Sequence, residues 1–359
     1  MKKTLLDFME ETSKEVLEII GRRKELTKEA VDYLKTLKFK DITIVSCGSS
    51  YNIARNCIYF MRKRLKVPVH LESAFQFYQY DLPMISKDTL FVCMSQSGRS
   101  INVNTAARRL VKDGYQIVGF TDNPVSPMGE ILGGRLFTYH RTGDDDYVIK
   151  SFVLHSVFLM LVTCEYALEI KSISQSEYDK DIQMIIKAVK SADVLRKSAI
   201  DFYSTHRMLM RSMDRVIILG CGPSMGTAME ASLKLQETYA CQATAFEIEE
   251  YFHGPSLCCN KDTTVFIIDD KNSPIHRRAK EAYLGLRCMT DRVIVLTNDE
   301  NFDGINMIVH STEGIPEDIA VIYNIIPFQY FCYILMDETQ VSAIGREGKK
   351  CDTYYVIKE

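Results

Sequence analysis

A chain of 359 residues, 46% hydrophobic and 25% charged, is long enough for two domains with a sizeable core, and its composition excludes a disordered or fibrous protein. The formal net charge of -3 gives no bias toward nucleic acid or an anionic membrane, so an anionic ligand has to be drawn in by a local site. The 11 cysteines are odd in number and scattered through apolar runs, which suits reduced thiols in a cytoplasmic protein; Cys258-Cys259 lacks metal-ligand spacing, and neither metal nor cofactor is expected.

The start, Met1 to Glu11, turns acidic before any sustained apolar run and does not read as a signal peptide. From residue 4 to 37, apolar positions such as Leu5, Phe8, Val16, Ile20, Val31 and Leu34 recur among charges, the pattern of amphipathic helices that cover a sheet edge or a second subunit. A strand is expected from Ile42 to Ser46, a turn at Cys47-Gly48-Ser49-Ser50 and a helix from Tyr51 to Arg64. Val67 to His70, Leu90 to Met94, Ile117 to Thr121 and Leu136 to His140 supply further strands between helical segments. Such alternation predicts a parallel α/β sheet.

The run from Thr89 to Ser100 is the most informative. Leu90 to Met94 is short and uniformly apolar, as for a strand buried on both faces, and Ile101, Ala106, Leu110 and Val111 then recur at helical spacing. The serine-rich turn between them therefore sits at a helix N-terminus, where unpaired N–H groups and the dipole favour an anion and Gly98 permits close backbone approach. Ser95, Ser97 and Ser100 add hydroxyls, and Gln96 an amide, that can ring a phosphate. The plainer reading makes these serines turn formers and a helix cap. Farther on, Thr142 to Lys150 contains Asp144, Asp145 and Asp146, either a solvated acidic loop or acids facing a substrate amine. The apolar stretches Phe152 to Leu168 and Ile319 to Met336 are broken by His155 and Glu165, and by Asn324, Pro327 and Gln329, and fit buried helices better than membrane spans.

The sequence then repeats in register. Val45-Ser-Cys-Gly-Ser-Ser50 matches Leu219-Gly-Cys-Gly-Pro-Ser224, Leu90 to Met94 matches Thr264 to Ile268, and Ile117 to Asp122 matches Val293 to Asn298. The expected organisation is residues 1-172 as a first domain with the phosphate loops, 173-213 as a helical connector, and 214-359 as a second domain with a tail. Where the first copy has Ser95 to Ser100, the second has Asp269-Asp-Lys-Asn-Ser-Pro274, whose carboxylates would repel a phosphate. In a doubly wound sheet the loops after successive strands converge, so Ser49 and Ser50 can join the Ser95 turn on one phosphate. In the second copy, Glu230, Lys234 and Glu237 fall on one helical face, by spacing alone an exposed salt-bridge stripe, and His253 stands just before a Gly-Pro break, either capping a loop or aimed into a cleft.

Cys47-Gly-Ser-Ser-Tyr-Asn52, Ser95-Gln-Ser-Gly98, Glu230 to Glu237 and Phe252-His-Gly-Pro255 resemble the tandem sugar-isomerase (SIS) domains, above all the isomerase part of glucosamine-6-phosphate synthase. The resemblance implies an α/β chain of two flavodoxin-like, doubly wound SIS domains in tandem. It implies that Ser49, Ser50, Ser95, Gln96, Ser97 and Ser100 hold a sugar 6-phosphate, that Glu237 shuttles a proton with Lys234 as its polar neighbour, and that His253 opens the sugar ring across a homodimer interface. Three departures narrow the expected reaction. No glutaminase segment precedes the first repeat, so glutamine is not the expected ammonia source; the family's Gly-Glu-Thr becomes Gly98-Arg99-Ser100; and the synthase's tail motif is missing, leaving Lys349 and Lys350 without an assigned role. Deglycases of fructosamine 6-phosphates such as fructoselysine or glucoselysine 6-phosphate share this tandem layout, and that activity is the leading expectation. An aldose-ketose isomerase, a glucosamine-6-phosphate deaminase and a non-catalytic sugar-phosphate sensor are the alternatives. Residues 1 to 40 mix acids and bases too evenly for a DNA-binding segment.

Overall fold

The computed structural model describes residues 4–143, 147–310, 312, 314–340 and 354–359. Asp144, Asp145, Asp146, Lys349 and Lys350 lie outside the described residues. The chain forms two compact units, one of residues 11–186 with 349–359 and the other of residues 1–10 with 187–348.

In chain order the helices α1 (Leu5–Gly21), α2 (Arg23–Leu26) and α3 (Lys28–Lys35) lead into β1 (Asp41–Ser46), α4 (Gly48–Leu65), β2 (Val69–Ser73), α5 (Ala74–Gln76) and β3 (Thr89–Met94). Then follow α6 (Ile101–Lys112), β4 (Gln116–Thr121), α7 (Pro127–Leu132), β5 (Leu136–Thr138), α8 (Lys150–Glu169) and α9 (Gln175–Arg211). The second sheet is built from β6 (Arg215–Gly220), α10 (Met225–Thr238), β7 (Gln242–Glu247), α11 (Ile248–Phe252), β8 (Thr263–Ile268), α12 (His276–Arg287), β9 (Val293–Thr297) and β10 (Met307–Val309), and is closed by α13 (Glu317–Asn324) and α14 (Ile326–Thr339). The division between units falls inside α1 and inside α9, which bends at His206 where the backbone leaves helical geometry.

Each sheet has five strands, all parallel: β2-β1-β3-β4-β5 in one and β7-β6-β8-β9-β10 in the other, the same order twice. The expected doubly wound fold is therefore present in both copies. Central strands β3 and β8 are buried at every position, which is why their sequences read as unbroken apolar runs. The edge strand β2 is buried only at Val69, where it begins rather than at Val67. Pro68 and the polar residues of an edge blur its apolar signal. The helix after β1 begins at Gly48, so Ser49 and Ser50 belong to the first helical turn of α4 rather than to a preceding turn.

The two apolar stretches lie inside their units. Helix α8 is buried from Lys150 to Ala167 and packs with α4 in the first unit, while α13 and α14 are buried in the second. Both are long and apolar enough to cross a bilayer, but 94% and 83% of their apolar windows are covered by protein, as expected of helices that are hydrophobic all round.

Candidate functional site

In the first unit the sheet ends at two serine turns. Strand β1 runs into Cys47, whose extended backbone caps α4, and Gly48 takes a positive φ of 57° to start the helix. Strand β3 runs into Ser95, and Gly98 turns the chain at φ 65° into Ser100, which caps α6. Gly98 is constrained twice over, because a Cβ at this position would lie 2.1 Å from the Ser126 hydroxyl. The two turns meet: the Cys47 thiol, raised by burial, is drawn back by hydrogen bonds that include one with the Ser100 side chain. Ser100 sits at the cap position of α6, yet its side chain makes no cap bond to the helix. It faces the other turn instead. Ser50 and Ser95 are buried, and Ser49, Gln96, Ser97 and Ser100 are half-buried. Neither α4 nor α6 carries an acidic residue in its first turn. Two helix N-termini with hydroxyls beside them, and no acid in either first turn, can hold a doubly charged anion.

The turn is held from below by residues that the sequence did not single out. The Gln96 side-chain amide donates to the Ser151 hydroxyl of α8 at 3.0 Å, and the Gln96 carbonyl accepts from the Thr121 hydroxyl and the Asp122 N–H, both at 2.9 Å. Asp122 is in turn gripped by Arg141 at 2.7 Å and by His155 Nε2 at 2.8 Å. Burial pushes the Asp122 carboxyl up, but His155 and Arg141 outweigh it and hold its pKa below the ordinary aspartate value. One turn from Ser151, the His155 ring stacks on Tyr139 with centroids 3.7 Å apart. Lys150 is buried rather than aimed at solvent: its ammonium meets Glu15 at 2.7 Å and the Thr142 carbonyl at 2.6 Å. An Asp-Asn-Pro sequence at a strand end is the one local sign of this platform; the partners on α8 come from over 25 residues away.

In the second unit, Glu230, Lys234 and Glu237 do share a face of α10, but the face is not the exposed stripe that spacing alone suggests. Glu230 is 1% and Lys234 2% exposed, because that face of α10 packs under α14, and the Glu237 side chain alone reaches the surface at 39%. The Lys234 ammonium lies 2.5 Å from Glu237 and 3.6 Å from Glu230. Burial pulls the Lys234 pKa down, but the two carboxylates outweigh it and keep the ammonium charged above the ordinary lysine value. A buried cation between two carboxylates orients Glu237 and screens it from Glu230.

His253 follows α11 at its C-terminal end and is exposed. That helix is only five residues long, and it is fixed by Glu247, whose carboxylate accepts from the N–H groups of Glu249 and Glu250 at 2.9 and 3.0 Å, and by a bidentate Arg278–Glu249 pair. The structure thus gathers the six phosphate-loop residues in one unit and Glu237, Lys234 and His253 in the other. Among the described residues no group of three or more His, Cys, Asp or Glu side chains is arranged to hold a metal ion.

A protein-family profile for the SIS domain matches residues 37–131 and 209–302, more than half of the chain together. A glutamine–fructose-6-phosphate aminotransferase [isomerizing] of Clostridium tetani is 26% identical over 251 residues, covering 68% of this chain and 39% of that protein. The chain spans about half the length or less of the curated relatives it matches. A Clostridium difficile 630 protein proposed to be a phosphosugar isomerase superposes with a TM-score of 0.87 at 22% identity, over 100% of this chain and 99% of that one. The C-terminal domain of the glucosamine-fructose-6-phosphate aminotransferase of Francisella tularensis superposes with a TM-score of 0.78 at 21% identity, over 93% and 96%. At those identities the superpositions establish the fold.

Proposed function

The chain belongs to the SIS-domain family, and from that premise we propose that it is a phosphosugar enzyme that moves a proton between C1 and C2 of a hexose 6-phosphate derivative. The observation that carries this reading is the division of labour between the copies: a hydroxyl-lined anion turn in one, and a carboxylate poised on a buried ammonium in the other. Ser49, Ser50, Ser95, Gln96, Ser97 and Ser100 hold the phosphate. Glu237 is the base, oriented by Lys234, and His253 assists ring opening as an acid or base from a second copy of the chain in a homodimer.

The substrate class we favour is a 6-phosphofructosamine. Glu237 takes the proton from C1 of the ketosamine and returns it to C2, giving an aldimine that water hydrolyses to a hexose 6-phosphate and the free amine. Water is the one co-reactant this step requires. The same base site serves an aldose-ketose isomerisation or an amino-sugar deamination, so the substrate panel decides among them. Incubation with 6-phosphorylated Amadori compounds, amino-sugar 6-phosphates and ketose 6-phosphates, with coupled detection of glucose 6-phosphate, should show turnover of the Amadori compounds first. Turnover of a ketose or amino-sugar phosphate alone would move the assignment to isomerase or deaminase. Binding without turnover of any of them would make the chain a sugar-phosphate sensor.

A further inference from the structure

Beside the serine turn, the segment 354–359 comes back onto the first unit and lies along the start of α6. Lys358 forms an antiparallel bridge with Ser100. The Ile101 N–H donates to the Ile357 carbonyl at 3.1 Å, and the Glu359 N–H donates to the Arg99 carbonyl at 2.9 Å. Arg99 Nε donates to the Glu359 carbonyl at 2.5 Å. The Glu359 carboxylate accepts from Arg108 at 2.8 Å and from the buried side-chain amide of Asn104 at 2.9 Å. That same amide donates to the Gly98 carbonyl at 3.1 Å, so the carboxylate is one side chain away from the glycine of the turn.

The donors the segment occupies are ones that an anion at this helix start would use: a first-turn N–H, a side-chain amide and two guanidinium groups. The first turn of α6 holds no acid of its own, and Glu359 supplies the missing negative charge. The segment is held by these polar contacts and little else. Tyr354, Tyr355, Val356 and Ile357 all remain more than half exposed, so its release uncovers little apolar surface. Arg99 is exposed and grips the segment's backbone. We propose that the segment Ile357–Glu359 is a built-in anion that competes with a substrate phosphate for the mouth of the serine turn, an inference that rests on the phosphate reading of that turn. When it leaves, the Ile101 N–H and the Arg99 and Arg108 guanidiniums become available to the ligand; when it is seated, the site is partly satisfied by the chain itself.

The test titrates inorganic phosphate and glucose 6-phosphate into the full chain, a variant lacking residues 354–359, Glu359→Ala, and Ser97→Ala as the control for the turn. Deletion should tighten glucose 6-phosphate binding roughly tenfold and Glu359→Ala roughly threefold, the loss of a charge-assisted competitor. In the full chain, saturation with glucose 6-phosphate should speed amide exchange at Glu359. Unchanged or weaker binding in both tail variants, while Ser97→Ala still weakens it, overturns the competing segment and leaves the phosphate turn standing. Binding insensitive to Ser97→Ala overturns the phosphate turn itself and the competitor with it.

Discussion

The two copies of the fold place equivalent residues in equivalent hydrogen bonds and then use them in opposite ways. At the end of β3 the Ser95 N–H donates to the Phe120 carbonyl; at the end of β8 the Asp269 N–H donates to the Leu296 carbonyl. In the first copy the Thr121 hydroxyl donates to the backbone of the turn, at the Gln96 carbonyl. In the second, the Thr297 hydroxyl binds the Asp269 carboxylate at 2.7 Å, and His276 closes on the same carboxylate at 3.0 Å. Burial pushes the Asp269 carboxyl up, and the bonds from Thr297 and His276 oppose it. The glycine turns differ likewise. Ser224 turns back on Cys221, donating to its carbonyl and accepting from its N–H, whereas its equivalent Ser50 lies buried in the first turn of α4. In the second copy the Asp269 carboxylate is taken up by Thr297 and His276, and the Ser224 hydroxyl by Cys221, so these groups are committed within the chain. The lesson is that equivalent strand ends of a repeated fold part company through the residues placed there and the partners each side chain finds.

Glu237→Gln tests that contrast most severely. It keeps size and hydrogen bonding but removes the base, so kcat should fall by roughly 10² to 10⁴ while sugar-phosphate binding at the serine turn is little changed. Substrate deuterated at C1 should turn over more slowly in the wild type. Near-normal turnover by Glu237→Gln would strip the second copy of its part in the chemistry.

Next in size are the glycines. Gly98→Ala meets a left-handed φ of 65° and the Ser126 hydroxyl together, and should cost about 2 to 5 kcal/mol with a clear drop in Tm. Gly222→Ala in the second copy faces a φ of 54° but open space, so about 1 to 2 kcal/mol is expected. Equal melting shifts for the two would show that the Ser126 contact is not what fixes the first turn.

A third comparison uses the residue after the last strand. Tyr139 and His310 donate their N–H groups to Thr121 and Thr297, so they are positional equivalents. Burial lowers the His310 pKa from 6.5 to about 4, whereas burial keeps the Tyr139 hydroxyl neutral at higher pH than usual. The unfolded chain therefore protonates His310 below about pH 6.5 while the folded site resists until about pH 4. Stability contributed by a neutral His310 is complete above pH 6.5 and is lost as pH falls through that window, by up to about 3 kcal/mol. Amide exchange around β10 should accelerate on acidification more than around β5, and His310→Asn should flatten the difference. Parallel acid responses at the two strands would remove His310 as the cause.

The smallest effect separates the serines. Ser97→Ala should weaken glucose 6-phosphate binding roughly tenfold, the worth of one hydrogen bond to a charged group, and Ser224→Ala should leave it unchanged. A titration in which both variants bind alike would erase the functional asymmetry between the copies.

Much of this was legible in the chain itself. Buried parallel strands write themselves as short apolar runs, and a turn that needs a positive φ asks for glycine, so β1, β3, β4 and the turns at Gly48 and Gly98 could be located from local pattern. The repeat followed from the same signals recurring in register, and the resemblance to SIS domains from motifs a few residues long. Edge strands were less legible because half of their residues meet water. The tertiary structure decided what depends on contacts between distant residues: that Glu230 and Lys234 are buried beneath α14 rather than solvated, that Ser100 faces Cys47, that Asp122 is gripped by Arg141 and His155, and that Glu359 returns to Arg99, Asn104 and Arg108 across some 250 residues. A helical face states which residues point the same way; only packing states what covers them, and with it whether a charge is screened, oriented or left to water.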